Sequence, residues 1–278
     1  DNQRIGRIRE LLSAPHMFGP DDMAAQIHDL HSPGAVRLVP LLLAHAGPAE
    51  GPAREAQALL DAWDFRMDAA RPEPALYLAW ARALRDGLIA GEAAHLAAAL
   101  DPVNAVFLAR VLEDEEGASA WAAPDCATAV RVARDAALAR LLVRGGRPAD
   151  LRWGMLHIAT HDHPALGTVP LLRRLVNIRH PLSGGDDTLL RGLTRGGTDR
   201  PFDAVHAAGY RAVVDLGAPD AASRFVLATG QSGHPLSRHY RDQNRLWRAG
   251  AFLPMRLDEI TAGKGGTARL ELRPAAGR

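Results

Sequence analysis

At Gly145-Gly146-Arg147-Pro148 the chain changes its pattern. Upstream, apolar residues recur at helical spacing. Downstream, short apolar runs alternate with Gly and Pro turns. A chain of 278 residues can bury one large core or two small ones. No motif repeats at a fixed period, so a solenoid is not supported. The expectation is an α+β protein, mainly helical over residues 1–146 and strand-containing over residues 147–278.

The upstream half reads as successive amphipathic helices. Ile5, Ile8, Leu11 and Leu12 share a face of the first. Pro20-Asp21-Asp22 opens a second, with a proline early and carboxylates at the positive end of the helix dipole. Ser32-Pro33 starts a third, which Pro40 is expected to kink or end. Ala56, Leu59, Leu60 and Trp63 mark a fourth, and Pro72-Glu73 opens a fifth through Leu88. Cys126, Val130, Ala133, Ala137 and Leu141 define a later helix that Gly145 would end.

Downstream, Thr188–Leu193, Tyr210–Leu216 and Ser223–Ala228 are strand candidates. Gly217-Ala218-Pro219-Asp220 is turn chemistry between the last two and predicts a hairpin. A helix over Ser237–Trp247 and a last strand over Thr267–Leu272 complete the reading.

Charge excludes one class of partner. Lys+Arg is 33 and Asp+Glu is 32, giving a net charge of +1, without the basic excess that neutralises phosphates. Nucleic acid is therefore not an expected partner. No apolar run approaches a membrane span, so a membrane is not expected either. Lys264 is the single lysine, so almost all the positive charge is arginine. The lone Cys126 rules out an intrachain disulfide and a cysteine-based zinc site. Residue 1 is Asp1 rather than Met, which reads as a processed start or as a piece of something longer.

Several clusters could carry chemistry. His157 and His161 would share a face if they lay on a helix, with Asp162 and His163 beside them. Yet Trp153-Gly154 and Pro164 argue against a long helix, and the general-base glutamate of a zinc hydrolase is missing. Histidines packed or hydrogen-bonded in a loop are the plainer reading. Gly230-Gln231-Ser232-Gly233 lies between a strand and a helix candidate, as a nucleophile elbow does. The second glycine of the elbow is replaced by His234, and His239 and Asp242 follow in the wrong order. Gly184-Gly185-Asp186-Asp187-Thr188 places two carboxylates beside glycines, but it lacks the acids of a calcium loop and the lysine of a phosphate loop. A turn entering a strand accounts for it. Glu113-Asp114-Glu115-Glu116 reads as a solvated loop, and Cys126 as core packing. No self-contained catalytic set emerges from the residues alone.

Several strings together resemble the C-terminal part of the large chain of the penicillin acylase family, which are N-terminal-nucleophile amidohydrolases. The clearest runs from Gly230-Gln231-Ser232-Gly233 through His239-Tyr240-Arg241-Asp242-Gln243 to Trp247–Gly250. Tyr210-Arg211-x-Val213-Val214-Asp215-Leu216, Trp153-Gly154-x-x-His157, His163-Pro164-Ala165-Leu166 and Gly184-Gly185-Asp186 are similar too. Near the start, Gln3-Arg4-Ile5-x-x-Ile8-x-x-Leu11-Leu12 resembles a family helix.

The resemblance implies the C-terminal part of an αββα sandwich, with residues 1–146 as a helical insertion and residues 147–278 completing the layers. It implies hydrolysis of linear amides, with small N-acyl substrates such as β-lactam side chains or acyl-homoserine lactones. It also implies a periplasmic or extracellular location. The family's serine nucleophile attacks through its own α-amine as base, and an asparagine and backbone N–H groups hold the oxyanion. None of these matches a residue here, and Asp1 cannot act as that serine. The partners implied are therefore the small α chain and the N-terminal part of the large chain, and the isolated chain is expected to be inactive. The calcium ligands described in the family also lie outside this segment, so no cofactor or metal is expected on it, while the resemblance allows Ca2+ in the complete enzyme. Arg4 matches the family arginine that supports the oxyanion asparagine, and it is the catalytic-site residue that carries over. The rival readings are a non-catalytic helical binding or assembly module, and a metal hydrolase built on His157, His161 and His163.

Overall fold

The computed structural model describes residues 3–13, 15–90, 103–143, 146–196 and 199–256. In chain order the helices of the first half are α1 (Gln3–Leu12), α2 (Pro20–Ile27), α3 (Pro33–Ala46), α4 (Gly51–Asp61), α5 (Glu73–Leu88), α6 (Ala105–Leu112) and α7 (Cys126–Leu141). The expected helix starts hold. Ser32 caps α3 by accepting from the Ala35 N–H, and Pro33 occupies the first turn.

Pro40 does not end α3, which continues to Ala46. Pro40 and Val36 both lie on the exposed face, where the carbonyl freed by the missing N–H can meet water. The opposite face, carrying Ala35, Leu38, Val39, Leu42 and Ala46, is buried and holds the helix together. The expected stop of α7 at Gly145 and the expected strand Thr267–Leu272 lie outside the described residues.

α5 is the centre of the larger core. It is buried along most of its length between α4, α6 and α7, and Leu76, Trp80 and Leu84 interlock with Leu38, Leu60, Leu108 and Val130. Its buried charged residues, Glu73, Arg82 and Arg85, sit among these apolar ones and need partners there. Trp153 and Phe202, from beyond the change of pattern, complete this core.

The rest of the described chain carries short elements: α8 (Trp153–Leu156), β1 (Ile158–His161), α9 (Arg173–Val176), β2 (Ile178–Pro181), β3 (Gly192–Leu193), β4 (His206–Ala207), β5 (Tyr210–Val213), α10 (Pro219–Ala222), β6 (Arg224–Leu227), α11 (Asn244–Ala249) and β7 (Leu253–Pro254). β1 pairs antiparallel with β2, and β3 with β4. β5, β6 and β7 form a three-stranded sheet in that order. The hairpin expected across Gly217–Asp220 is present, with Tyr210 opposite Leu227 and Val213 opposite Arg224. A second, smaller core gathers Ala159, Leu182, Ala204, Val226, Ala228 and Trp247. Among the described residues no helix is long and apolar enough to cross a membrane.

Two expectations are corrected. Of Thr188–Leu193 only Gly192 and Leu193 are in a strand. The Thr188 hydroxyl accepts from the Gly185 N–H at 2.9 Å and donates to the Leu190 carbonyl at 2.7 Å, which folds the chain back on itself. Gly184 makes this bend with φ of +95°, and a Cβ there would sit 1.9 Å from the Leu190 carbonyl oxygen. The helix expected over Ser237–Trp247 begins only at Asn244. Before it, side chains take the roles of helical bonds: Ser237 Oγ accepts from His239 N–H at 3.1 Å, and Gln243 Oε1 accepts from Leu227 N–H at 2.9 Å.

Candidate functional site

The expected site residue, Arg4, stands at the start of α1 and is half-buried. Its Nε is out of water and has no hydrogen-bond partner among the described residues. Burial, and then the neighbouring Arg191, hold the Arg4 guanidinium below its usual range, while Asp187 pulls the other way. Arg4 is therefore not a surface arginine on a frayed end. Arg191 also has a buried Nε without a partner among the described residues. Arg4 thus sits near both a second arginine and the Asp187 carboxylate, with its Nε still unpartnered.

Asp187 anchors this corner. Its carboxylate accepts from Ser32 Oγ at 2.9 Å and from the Gly34 N–H at 2.7 Å, so residues 153 to 155 positions apart complete the N-terminus of α3. A Cβ on Gly34 would lie 2.7 Å from Asp187 Oδ2 and 2.9 Å from Ala105 Cβ, with Gln3 Oε1 at 3.2 Å. Close approach of the loop to α3 therefore requires glycine at 34. Burial pushes the Asp187 carboxyl up, and the Gly34 and Ser32 hydrogen bonds pull it down. Burial raises the phenol of Tyr77, beside Ser32, well above its ordinary value, and the two carboxylates push it further.

Asp186 points the other way. It accepts from the Thr194 N–H at 2.6 Å and the Thr194 hydroxyl at 2.9 Å. The Thr194 hydroxyl accepts in turn from Arg82 Nη2 at 2.9 Å, and Arg82 Nη1 donates to the Pro201 carbonyl at 2.6 Å. The adjacent acids thus tie the 184–194 loop to α3 on one side and to α5 on the other. The residue pair was legible as a turn, but its role as a clamp was not. The signal present in the sequence was Ser32-Pro33-Gly34, a cap waiting for an acceptor.

Burial pushes the Asp186 carboxyl up from 3.8 to about 6. An acid whose folded value is raised contributes stability in full below its unfolded value and loses it as pH rises through the folded one. Wild type should therefore gain on Asp186→Asn as pH falls from 7 to 4, by up to about 3 kcal/mol at 1.36 kcal/mol per unit. Denaturant titrations across that range test this, and parallel pH curves would refute it.

The histidine cluster is dispersed. His157 follows α8 and His161 ends β1, so they share no helix face. His157 is fully buried, stacked on Trp153 at 4.4 Å, and its Nδ1 lies 2.7 Å from the Phe202 carbonyl, so that nitrogen carries the proton. Burial lowers it to about 4. His161 packs against His180 and Trp247. His163 Nδ1 accepts from the Ala165 and Leu166 N–H groups at 3.3 and 3.1 Å. Asp162 is exposed. Among the described residues no three of His, Cys, Asp and Glu come together where they could hold a metal ion.

Ser232 lies in a turn where its hydroxyl accepts from the His234 N–H at 3.1 Å, and His239 Nδ1 bonds Asp242 at 2.7 Å rather than Ser232. Cys126 opens α7 half-buried, its Sγ 3.6 Å from the Val111 carbonyl, and burial raises its thiol. Glu113 and Glu115 pair with Arg37, and Glu115 with Arg110.

Comparison with known proteins adds to this geometry. Residues 1–262 match the family model described as Penicillin amidase. The chain is 34% identical over 267 residues to Penicillin acylase 2 proenzyme of Pseudomonas sp. (strain SE83), covering 91% of this chain and 33% of that protein. It is 32% identical over 144 residues to the acyl-homoserine lactone acylase QuiP of Pseudomonas putida, covering 51% of this chain and 17% of that one. Thermostable Penicillin G acylase from Alcaligenes faecalis is a structural match with a TM-score of 0.53 and 16% identity, over 100% of this chain and 52% of that chain. At that identity the match speaks for the fold alone. The chain thus spans about a third of the length of the first of these relatives.

Proposed function

Because the chain belongs to the penicillin amidase family, we propose that it is the C-terminal portion of the large chain of an amidohydrolase that cuts linear amides of small N-acyl compounds. The observation that carries the reading is the match along residues 1–262, together with relatives named as a penicillin acylase and an acyl-homoserine lactone acylase. β-Lactam side chains and acyl-homoserine lactones are the proposed substrate classes. In this reading residues 1–146 are the helical insertion, and residues 147–278 complete an αββα sandwich. The rest of the large chain and the small chain are its partners, and the location is periplasmic or extracellular.

The serine comes from outside this sequence. Its oxygen attacks the amide carbon while its α-amine takes the hydroxyl proton. The carbonyl oxygen gains negative charge, and collapse expels the amine with that proton. Water then hydrolyses the acyl ester. What this chain adds is Arg4 on a fixed helix. It is held beside Asp187, with donors free to orient the asparagine that bonds the oxyanion. Arg4 is a positioning residue in this reading. The calcium site of the family lies outside the segment.

The test is release of free amine from arylacetyl amides and acyl-homoserine lactones by the full-length protein and by this chain alone. Turnover is expected from the full-length protein and none above buffer from the chain. Turnover by the pure chain would overturn its assignment as a dependent portion. A full-length protein inert toward both amide classes would overturn the amidohydrolase itself.

A further inference from the structure

Arginine is this chain's main cation, and most of its well-placed arginines have an acid. Arg7 pairs with Asp29, Arg37 with Glu113, Arg71 with Glu73, Arg147 with Glu55 and Arg224 with Asp21. One cavity breaks that pattern. It has a volume of about 530 Å³ and opens between α2, β2 and α11. Arg211, Arg245, Arg248, His28, Ser183 and Trp247 supply its polar and aromatic wall, and no acidic residue among the described ones lines it.

Arg211 is only 4% exposed. Its guanidinium lies 4.0 Å from the Trp247 ring centroid, and Nη1 donates to the Trp247 carbonyl at 2.9 Å. Its Nε has no partner among the described residues. Nη1 is also 3.2 Å from His28 Nε2. His28 Nδ1 lies 2.8 Å from the Ala24 carbonyl, so Nδ1 carries the ring proton and Nε2 accepts from Arg211. His28 is therefore neutral and supplies no counter-charge. Burial lowers the Arg211 guanidinium to about 10, which leaves it charged at neutral pH. Arg245 and Arg248, three residues apart on α11, add two more guanidiniums, and neither makes an ion pair among the described residues.

Arg245 and Arg248 are exposed to water at the opening while Arg211 is buried without a carboxylate among the described residues, so the three guanidiniums make this cavity favourable for an anion. The volume falls in the usual range for small-molecule sites. Guanidinium forks match carboxylates through paired hydrogen bonds, and Ser183 adds a hydroxyl donor. We infer that this cavity binds a carboxylate, held by Arg245 and Arg248 at its mouth and Arg211 at its wall. The carboxylate belongs either to a free small molecule or to an Asp or Glu side chain elsewhere in the full-length polypeptide. This site is independent of the amide chemistry proposed above.

Calorimetric titration of the full-length protein with citrate, at constant ionic strength and against chloride, reads the first source. The same titration is run on R245Q/R248Q, which leaves the buried Arg211 and its Trp247 stack in place. Saturable citrate binding that weakens at least about tenfold in the double variant, as loss of charge-assisted pairs should produce, supports a small-molecule ligand. The second source predicts no citrate binding by wild type. It also predicts a double variant that melts several degrees lower at low salt, with the gap closing at about 1 M NaCl as screening takes over. Equal citrate binding by both proteins, or neither citrate binding nor a salt-sensitive melting difference, overturns the proposal.

Discussion

Trp153→Ala should lower the unfolding free energy by about 4 kcal/mol, within the range for truncating a buried large aromatic. Trp153 is fully buried and belongs to the larger core, although it lies beyond the change of pattern that ends the helical run. It stacks face to face on His157 at 4.4 Å and meets Phe202 edge-on at 6.1 Å. Its Nε1 donates to the Gly184 carbonyl at 2.9 Å, the first residue of the loop that carries both buried acids. Its backbone N–H donates to the Arg71 carbonyl at 2.8 Å, just before α5. Truncation leaves a cavity, an unpaired carbonyl and a histidine without its stacking partner. Trp153→Phe keeps a ring and loses the donor, so it should cost only about 1–2 kcal/mol. Chemical denaturation of both variants checks the ordering. A Trp153→Ala loss below about 1 kcal/mol would mean that the site collapses freely around the gap.

In the full-length protein, Arg4→Ala should slow amide hydrolysis by roughly 10²–10³-fold, a barrier of about 2–4 kcal/mol, comparable with loss of an oxyanion donor. The loss should fall on kcat, with KM changed much less, because the interaction strengthens as the oxyanion forms. Arg4→Lys should not restore the rate, since an ammonium lacks the planar fork. A merely structural arginine would instead lower the melting temperature and leave kcat per folded molecule alone. Unchanged turnover by Arg4→Ala refutes the positioning role.

The helical half was legible because its helices announce themselves at both ends of a long pattern. The starts of α2, α3 and α5 follow Pro20-Asp21-Asp22, Ser32-Pro33 and Pro72-Glu73, and in α3 burial follows the apolar spacing. Pro40 misled because burial of the opposite face outweighs one lost hydrogen bond on the wet side. The downstream half was harder, since its strands are two to four residues long. In Thr188–Leu193 and Ser237–Gln243, side-chain hydroxyls and amides outcompete the regular backbone ladder. Arg4 was singled out through family resemblance alone, and its surroundings could not be read from the sequence. Ser32 and Asp187 are 155 positions apart, and no local pattern joins them. The arginine cavity likewise draws on His28, Arg211 and Arg245, which only the fold brings together.

The carboxylate that completes the start of α3 also sets a schedule for synthesis. Asp187 emerges from the ribosome 153 residues after Gly34. At 5–20 residues per second that is a delay of about 8–30 s. During that interval α3 has only Ser32 at its first turn, and the pocket on Gly34 stands open. The helical half can gather its apolar faces early, but the bonds of Ser32 and Gly34 to Asp187 form only when the second half arrives. Ribosome-bound chains halted before residue 187 would therefore hold a loosened α3, exposed to chaperones.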